Sequence, residues 1–416
     1  MTNQNPFLSE SFKSTWIEHF SKQNSLVSTF KFISDLQFVR HKKWPVYMNV
    51  GETLTKGINY TISSYRDADL KNETLIIYDV PTYFNVKTKT TGDKVKLVKS
   101  RQYPGFLIET GNFKSLNDYL SANFSKNSRN KNNKYKRRLE ESFNISYKMY
   151  FGSISKEECD SIFHDFKKLL EKRFSDKQIT NNNLNPKEWQ FYNAVAYKLI
   201  LEKKASLYVI YDDDKPIGVT FSYLSEDTLF DAITVFDIDY FKFHLGSVTI
   251  MKLIEWCIEN DIKILDFSKG YFDYKTRWCT KSYDFEYHIY YDSRSLKSKL
   301  LATSIKRFYD FKQHLREKEL NEKWHKLTYK LKKNEADKIP KLTYNFTEVS
   351  ASDVFTYDKP IDYTLDVHKN LRLMIFEFLY LYQETNNAIS LFKISDLDHS
   401  YLIKGRDKAY KAKING

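Results

Sequence analysis

Residues 206–278 read SLYVIYDDDKPIGVTFSYLSEDTLFDAITVFDIDYFKFHLGSVTIMKLIEWCIENDIKILDFSKGYFDYKTRW, and the order of patterns in this stretch decides the fold. Ser206 to Tyr211, Ile217 to Leu224 and Leu229 to Phe236 are rich in β-branched and aromatic residues. They are separated by the turn-forming runs Asp212-Asp213-Asp214-Lys215-Pro216 and Ser225-Glu226-Asp227. This pattern predicts an antiparallel meander. Over Ser247 to Glu259, the residues Val248, Met251, Leu253, Ile254 and Cys257 recur at the spacing of one buried helical face, and Ile262 to Phe267 is a short apolar run suited to a central strand. A strand, helix, strand crossover therefore closes the unit, and the fold class is α/β (α+β), a mixed sheet flanked by helices.

Upstream, Ile162, Phe166, Leu169 and Leu170 mark one helix after Ser155, and Pro186 opens a second through Trp189, Tyr192, Val195, Ala196 and Leu199. The first 110 residues alternate in the strand manner at Tyr60 to Tyr65, Thr74 to Val80, Val95 to Val98 and Phe106 to Glu109. A basic helical pattern over Phe113 to Phe143 and a strand at Ile145 to Phe151 follow. Downstream lie a strand at Phe285 to Tyr291 and a basic amphipathic region from Leu296 to Lys333, with Phe308, Phe311, Leu315, Trp324, Leu327 and Leu331 on its apolar side. The tail holds a helix over 368–383 and strands near Ile389 to Ile394. These shifts divide the chain into a strand-rich part at 1–144, a mixed part at 145–295 and a helical and irregular C-terminal extension at 296–416.

The net charge of +13 implies attraction to polyanions: nucleic acid, anionic lipid or the phosphates of a nucleotide. Cys159, Cys257 and Cys279 are odd in number and lack CxxC spacing, which indicates neither a disulfide framework nor a zinc site. With no basic start and apolar core at the N-terminus, a cytoplasmic protein is expected. The apolar run Leu371 to Tyr382 is interrupted by Arg372 and Glu377 and falls short of the ~20 residues a membrane span needs.

Two constellations could carry chemistry. The first is Phe236 to Ser247, where Gly246 and Ser247 start a helix whose free amides suit a pyrophosphate. The second is Leu265 to Trp278, beyond the C-terminal end of a central strand, where such folds collect ligands. In it a fixed cation, Lys275, could stabilise an oxyanion or hold a phosphate, with Arg277 and Lys269 assisting. An attacking amine must lose a proton, and a leaving thiolate gains from a donor. Asp237 is a candidate base, Tyr274 or Tyr283 candidate donors, and His244 a weaker base. The solvated readings of these residues, as loop charges, turn carboxylate and packing aromatics, stand beside the chemical ones.

Leu265-Asp266-Phe267, Gly270 and Tyr274-Lys275-Thr276-Arg277-Trp278, together with the basic helix Ser125 to Glu140, resemble the GNAT (N-acetyltransferase) superfamily. The resemblance runs over about 105 to 290, in the cellulose-biosynthesis-type branch near the Fem-type aminoacyltransferases. It implies a GNAT-like sheet, compatible with two tandem half-domains, and an N-acyltransferase. The implied donor is acetyl-CoA or another acyl-CoA, used without a metal, and the acceptor is an amine: an amino sugar, an amino acid or a cell-envelope or polysaccharide precursor. It also implies donor contacts from Val235, Phe236, Leu245, Gly246, Ser247 and Arg277, with Lys275, Asp237 and Tyr274 at the reacting centre. Only Gly246 matches the family's phosphate-loop pattern, and Lys242 stands one position early for its basic residue. A Fem-type enzyme drawing on aminoacyl-tRNA is therefore the second reading, and a non-catalytic polyanion-binding module the third. A peripheral contact of the 296–333 region with anionic membrane is weighed against simple packing.

Overall fold

A computed structural model of the chain describes residues 5–21, 26–41, 44–63, 69–88, 94–177, 184–318, 342–350, 353–395 and 397–415. Its strands in chain order are β1 (Val27–Ser28), β2 (Ile33–Ser34), β3 (Phe38–Arg40), β4 (Val46–Asn49), β5 (Thr61–Ile62), β6 (Thr74–Pro81), β7 (Val95–Ile108), β8 (Ile145–Tyr150), β9 (Ala205–Asp212), β10 (Lys215–Ser225), β11 (Thr228–Phe236), β12 (Ile264–Lys269), β13 (Lys281–Asp292), β14 (Thr343–Glu348), β15 (Ser390–Lys393), β16 (Ser400–Lys404) and β17 (Ala409–Asn415). The α-helices are α1 (Glu10–Phe20), α2 (Leu116–Asn123), α3 (Lys126–Ser142), α4 (Lys156–Lys177), α5 (Pro186–Leu201), α6 (Leu245–Glu259), α7 (Asp273–Trp278), α8 (Leu296–Glu317) and α9 (Lys369–Tyr382). The mixed α/β class is as the patterning predicts. Trp324, Leu327 and Leu331 lie outside the described residues.

Eleven strands form one sheet in the order β1-β3-β4-β6-β13-β7-β12-β11-β10-β9-β8. It runs without a break through residues 1–144 and 145–295, because β13 is inserted between β6 and β7. The separate strands expected at Val95 to Val98 and Phe106 to Glu109 are one 14-residue strand, β7. Pro104 and Gly105 read locally as a turn, but pairing with Asp284 and Tyr283 of β13 keeps the chain extended. Tertiary pairing outweighs the local signal. One apolar core gathers α1, α4 and α5, including Phe12, Phe166 and Leu199. A second gathers α2, α3, α6 and α9, including Leu139, Met251 and Phe378. At ~1.5–3 kcal/mol per fully buried large aliphatic or aromatic side chain, these cores hold the elements together.

The meander β9-β10-β11 forms as predicted, with α6 and β12 after it. β12 pairs with β11 in parallel over three positions only, Thr228 with Ile264, Leu229 with Leu265 and Phe230 with Asp266. Beyond them β11 continues along β10 to Phe236, while β12 follows β7 as far as the Lys269–Gly105 pair. The two strands part into a wedge. β11 also carries a bulge: Phe221 faces Ile233 and the next residue, Ser222, faces Asp231, leaving Ala232 unpaired with β10. Bulges of this kind re-aim side chains next to ligand sites.

Candidate active site in the strand wedge

The wedge holds a cavity of about 340 Å³, bounded by β11, the start of α6, α7 and Arg173 of α4. Such a volume is in the range of small-molecule sites. Of the residues expected at the donor, Phe236, Leu245, Gly246, Ser247 and Arg277 line it, as does Tyr274. Val235, Asp237 and Lys275 do not.

The helix begins at Leu245, two residues before the Ser247 start read from the sequence. His244 takes a left-handed backbone (φ 50°) that turns the chain into α6, and no side chain caps the helix. His244 also stacks on Tyr135 of the basic helix α3 at 3.9 Å between ring centroids. Gly246 lies against β11: a Cβ there would stand 2.9 Å from the Phe236 ring, so only glycine lets helix and strand come this close. The first turn of a helix leaves N–H groups without intrahelical acceptors and carries partial positive charge. Its residues Leu245, Gly246 and Ser247 border the cavity together with Arg277 and Arg173, whose guanidinium lies 4.3 Å from the Phe236 ring centroid. Burial holds the His244 imidazole below its ordinary pKa, and the nearby charges of Lys131 and Arg277 lower it further.

The short helix α7 spans Asp273–Trp278, so Tyr274, Arg277 and Trp278, spaced i, i+3 and i+4, share the face that meets the cavity. Lys275 turns off that face. It is 5% exposed, and its Nζ donates to the carbonyls of Lys269 (3.0 Å) and Ser268 (3.3 Å). It thereby pins the turn at Gly270, whose φ of 108° glycine adopts at little cost and other residues only with strain. Burial lowers the Lys275 pKa to about 8, against the pull of Asp231 and Asp266 and with Lys56 adding to the depression.

Asp231 is the residue missing from the sequence reading. It lines the cavity beside the bulge and accepts a hydrogen bond from Thr234 Oγ1 at 2.8 Å. Burial raises its pKa above the ordinary carboxylate value, opposed by the Thr234 bond, Lys275 and Lys56. A carboxyl so placed, with no ion pair among the described residues, is suited to accept a proton.

The other candidates are engaged elsewhere. Asp237 is buried, with Lys172 Nζ at 2.5 Å and Lys215 at 4.0 Å, and caps the turn Ile238–Phe243 through the Asp239 amide. Asp239 completes the cluster with Lys172 (2.6 Å) and Arg372 of α9 (2.7 Å). Tyr283 donates to both carboxylate oxygens of Asp266 (2.8 and 2.6 Å), which also receives Tyr83 (2.8 Å) and the Ser268 amide (2.7 Å). Burial pushes the Asp266 pKa up to about 6 despite these donors. Lys269 pairs with Asp79, and Lys242 with Glu377 of α9 at 2.8 Å. Asp237, Tyr283 and Lys242 are each engaged by a partner away from the cavity.

Residues 125–276 match the acetyltransferase (GNAT) domain family. No curated protein matches the chain. Similar solved structures include a conserved protein of unknown function from Bacteroides thetaiotaomicron, 12% identical, with a TM-score of 0.43 over 70% of this chain and 92% of that one. Others are L-PGS from Bacillus licheniformis (10%, 0.41, 74% and 98%) and FemX (10%, 0.44, 69% and 92%). The segment that builds the basic helix, the meander, α6 and most of the wedge is therefore the part of the chain that finds its match in the GNAT superfamily.

Proposed function

We propose that the chain is an N-acyltransferase that moves an acetyl or other acyl group from acyl-CoA to the amine of an amino sugar, an amino acid or an envelope or polysaccharide precursor. The observation that carries the reading is one cavity in which the first turn of α6, Arg277 and Arg173 stand together with the carboxyl of Asp231. Helix amides and guanidinium groups would hold the donor's phosphates. The donor supplies an acyl group activated as a thioester. Asp231 takes the proton that the amine loses as its nitrogen bonds to the acyl carbon and the carbon–sulfur bond breaks. Lys275, buried within electrostatic reach, favours the ionised form of Asp231 and is a positioning residue.

Isothermal titration with coenzyme A tests the donor. Binding is expected to weaken at least about tenfold in Arg277→Glu, an exposed position, and to vanish in Gly246→Trp. Unchanged binding in both variants would sink the assignment of the cavity. The pH profile has a definite sign. Transfer rises with pH as Asp231 loses its proton, at a midpoint above that of an ordinary aspartate. In Lys275→Met, which removes a cation that favours the ionised carboxyl, the midpoint of that rise in kcat/KM is expected at higher pH.

A Fem-type, tRNA-dependent transfer is the second reading. The stacking of Tyr135 on His244, which brings the basic helix α3 to the cavity corner, favours it. Retention of charged tRNA on a filter, without coenzyme A binding, would decide for it.

A further inference from the structure

Helix α8 has two unlike faces. Through one it packs on β7 and β13: Ser298, Ala302 and Gln313 are buried, and Tyr309 stacks on Tyr287 at 3.9 Å and shares a hydrogen bond with Tyr78. The other face is open, with Leu296 71%, Leu300 59%, Phe308 61% and Phe311 61% exposed. At helical spacing these four fall on one outward side. Across a cleft of about 400 Å³ from Phe308 stands Trp44, which is 60% exposed.

The charge on the same helix is one-sided. Lys297, Lys299, Lys306, Arg307, Lys312 and Arg316 face only Asp310 and Glu317 as acids. Lys306 pairs with Asp310, and Arg316 lies over Tyr103, but Lys297, Lys299, Arg307 and Lys312 make no ion pair among the described residues. A large exposed apolar stripe costs solubility and marks a binding surface. A second copy of this chain is a poor occupant, since an isologous contact would press two basic helices together in a protein of net charge +13. Protein interfaces in general also deplete lysine.

We propose that the outward face of α8, with Trp44, docks on an anionic lipid bilayer. Its apolar side chains enter the boundary between headgroups and acyl chains, its Lys and Arg stems extend to the lipid phosphates, and the indole sits at the interface. Among the described residues no helix is long and apolar enough to cross a membrane, and the proposed contact is peripheral.

Sedimentation of the full-length protein with vesicles of phosphatidylglycerol and phosphatidylcholine, against phosphatidylcholine alone, tests this. Salt-sensitive binding to the anionic vesicles is expected. It should fall at least about tenfold in Phe308→Ser/Phe311→Ser, and about fivefold for each positive charge removed, hence further in Arg307→Glu/Lys312→Glu. Quenching of tryptophan emission by brominated lipid is expected to drop in Trp44→Phe. Vesicle binding that both double variants leave intact overturns the proposal. So does the absence of vesicle binding together with a dimer in sedimentation velocity that Phe308→Ser/Phe311→Ser dissolves.

Discussion

Asp231→Asn is expected to lower kcat/KM for acyl transfer by about 10²–10⁴-fold, the span typical of a lost general base. The substitution keeps the size and the hydrogen bond to Thr234 but cannot take a proton at neutral pH. Its signature is a divided effect. Coenzyme A affinity should stay within about twofold, because the donor's phosphates are assigned to α6 and the arginines, while the acidic limb of the pH profile disappears. A variant within about tenfold of the wild type, with that limb intact, would show that the proton goes elsewhere.

The second large effect is on stability. Arg372→Met is expected to cost about 3–5 kcal/mol, because it removes one partner from a buried pair and leaves the Asp239 carboxylate with Lys172 alone. Burial by itself would raise the pKa of Asp239, yet Lys172 and Arg372 hold it below the ordinary value. The sign follows from that depression. The stabilisation is present above the unfolded carboxylate pKa and is lost as pH falls through the folded one, so the variant and the wild type should converge in acid. Urea denaturation at pH 7 and at pH 3 measures both numbers. A penalty under about 1 kcal/mol at neutral pH, or one that does not shrink in acid, would deny the ion cluster this role. Since Asp237 caps the turn that leads to His244 and α6, and Asp239 lies within it, the C-terminal helix α9 also braces the wall of the cavity.

The parts of the fold legible from sequence are those with strong local periodicity. The meander, α5, α6 and β12 each bury a face whose spacing shows in the chain itself. What escaped depends on distant partners. β7 stays extended through Pro104-Gly105 because β13 pairs with it, and α1 buries Phe12, Thr15 and Trp16 in a stretch for which the strand-rich reading of the first 110 residues named no helix.

At the site, Gly246 and Ser247 in one constellation and Tyr274 and Arg277 in the other were marked by their chemistry, and they meet in one cavity. Arg173 could not be marked, since only the packing of α4 over β11 brings it there. Asp231 did leave a signal, a carboxylate inside an otherwise apolar strand between Phe230 and Ala232. The parity of a regular strand does not disclose the bulge that re-aims it. Lys275 shows the converse: the residue was conspicuous, but a helical α7 turns it about 100° from Tyr274 and off the cavity face.

The insertion of β13 between β6 and β7 sets an order of events during synthesis. When β6 and β7 leave the ribosome, each offers one flank to a neighbour that does not yet exist, and that neighbour arrives only with residues 281–292. Until then the nascent chain holds open sheet edges, the state most exposed to unwanted pairing and most served by chaperones. Contacts so far apart in sequence also make for slow folding. A chain cut between 144 and 145 therefore yields two pieces that can complete this sheet only in each other's company, which makes that junction a natural place to split the protein for fragment complementation.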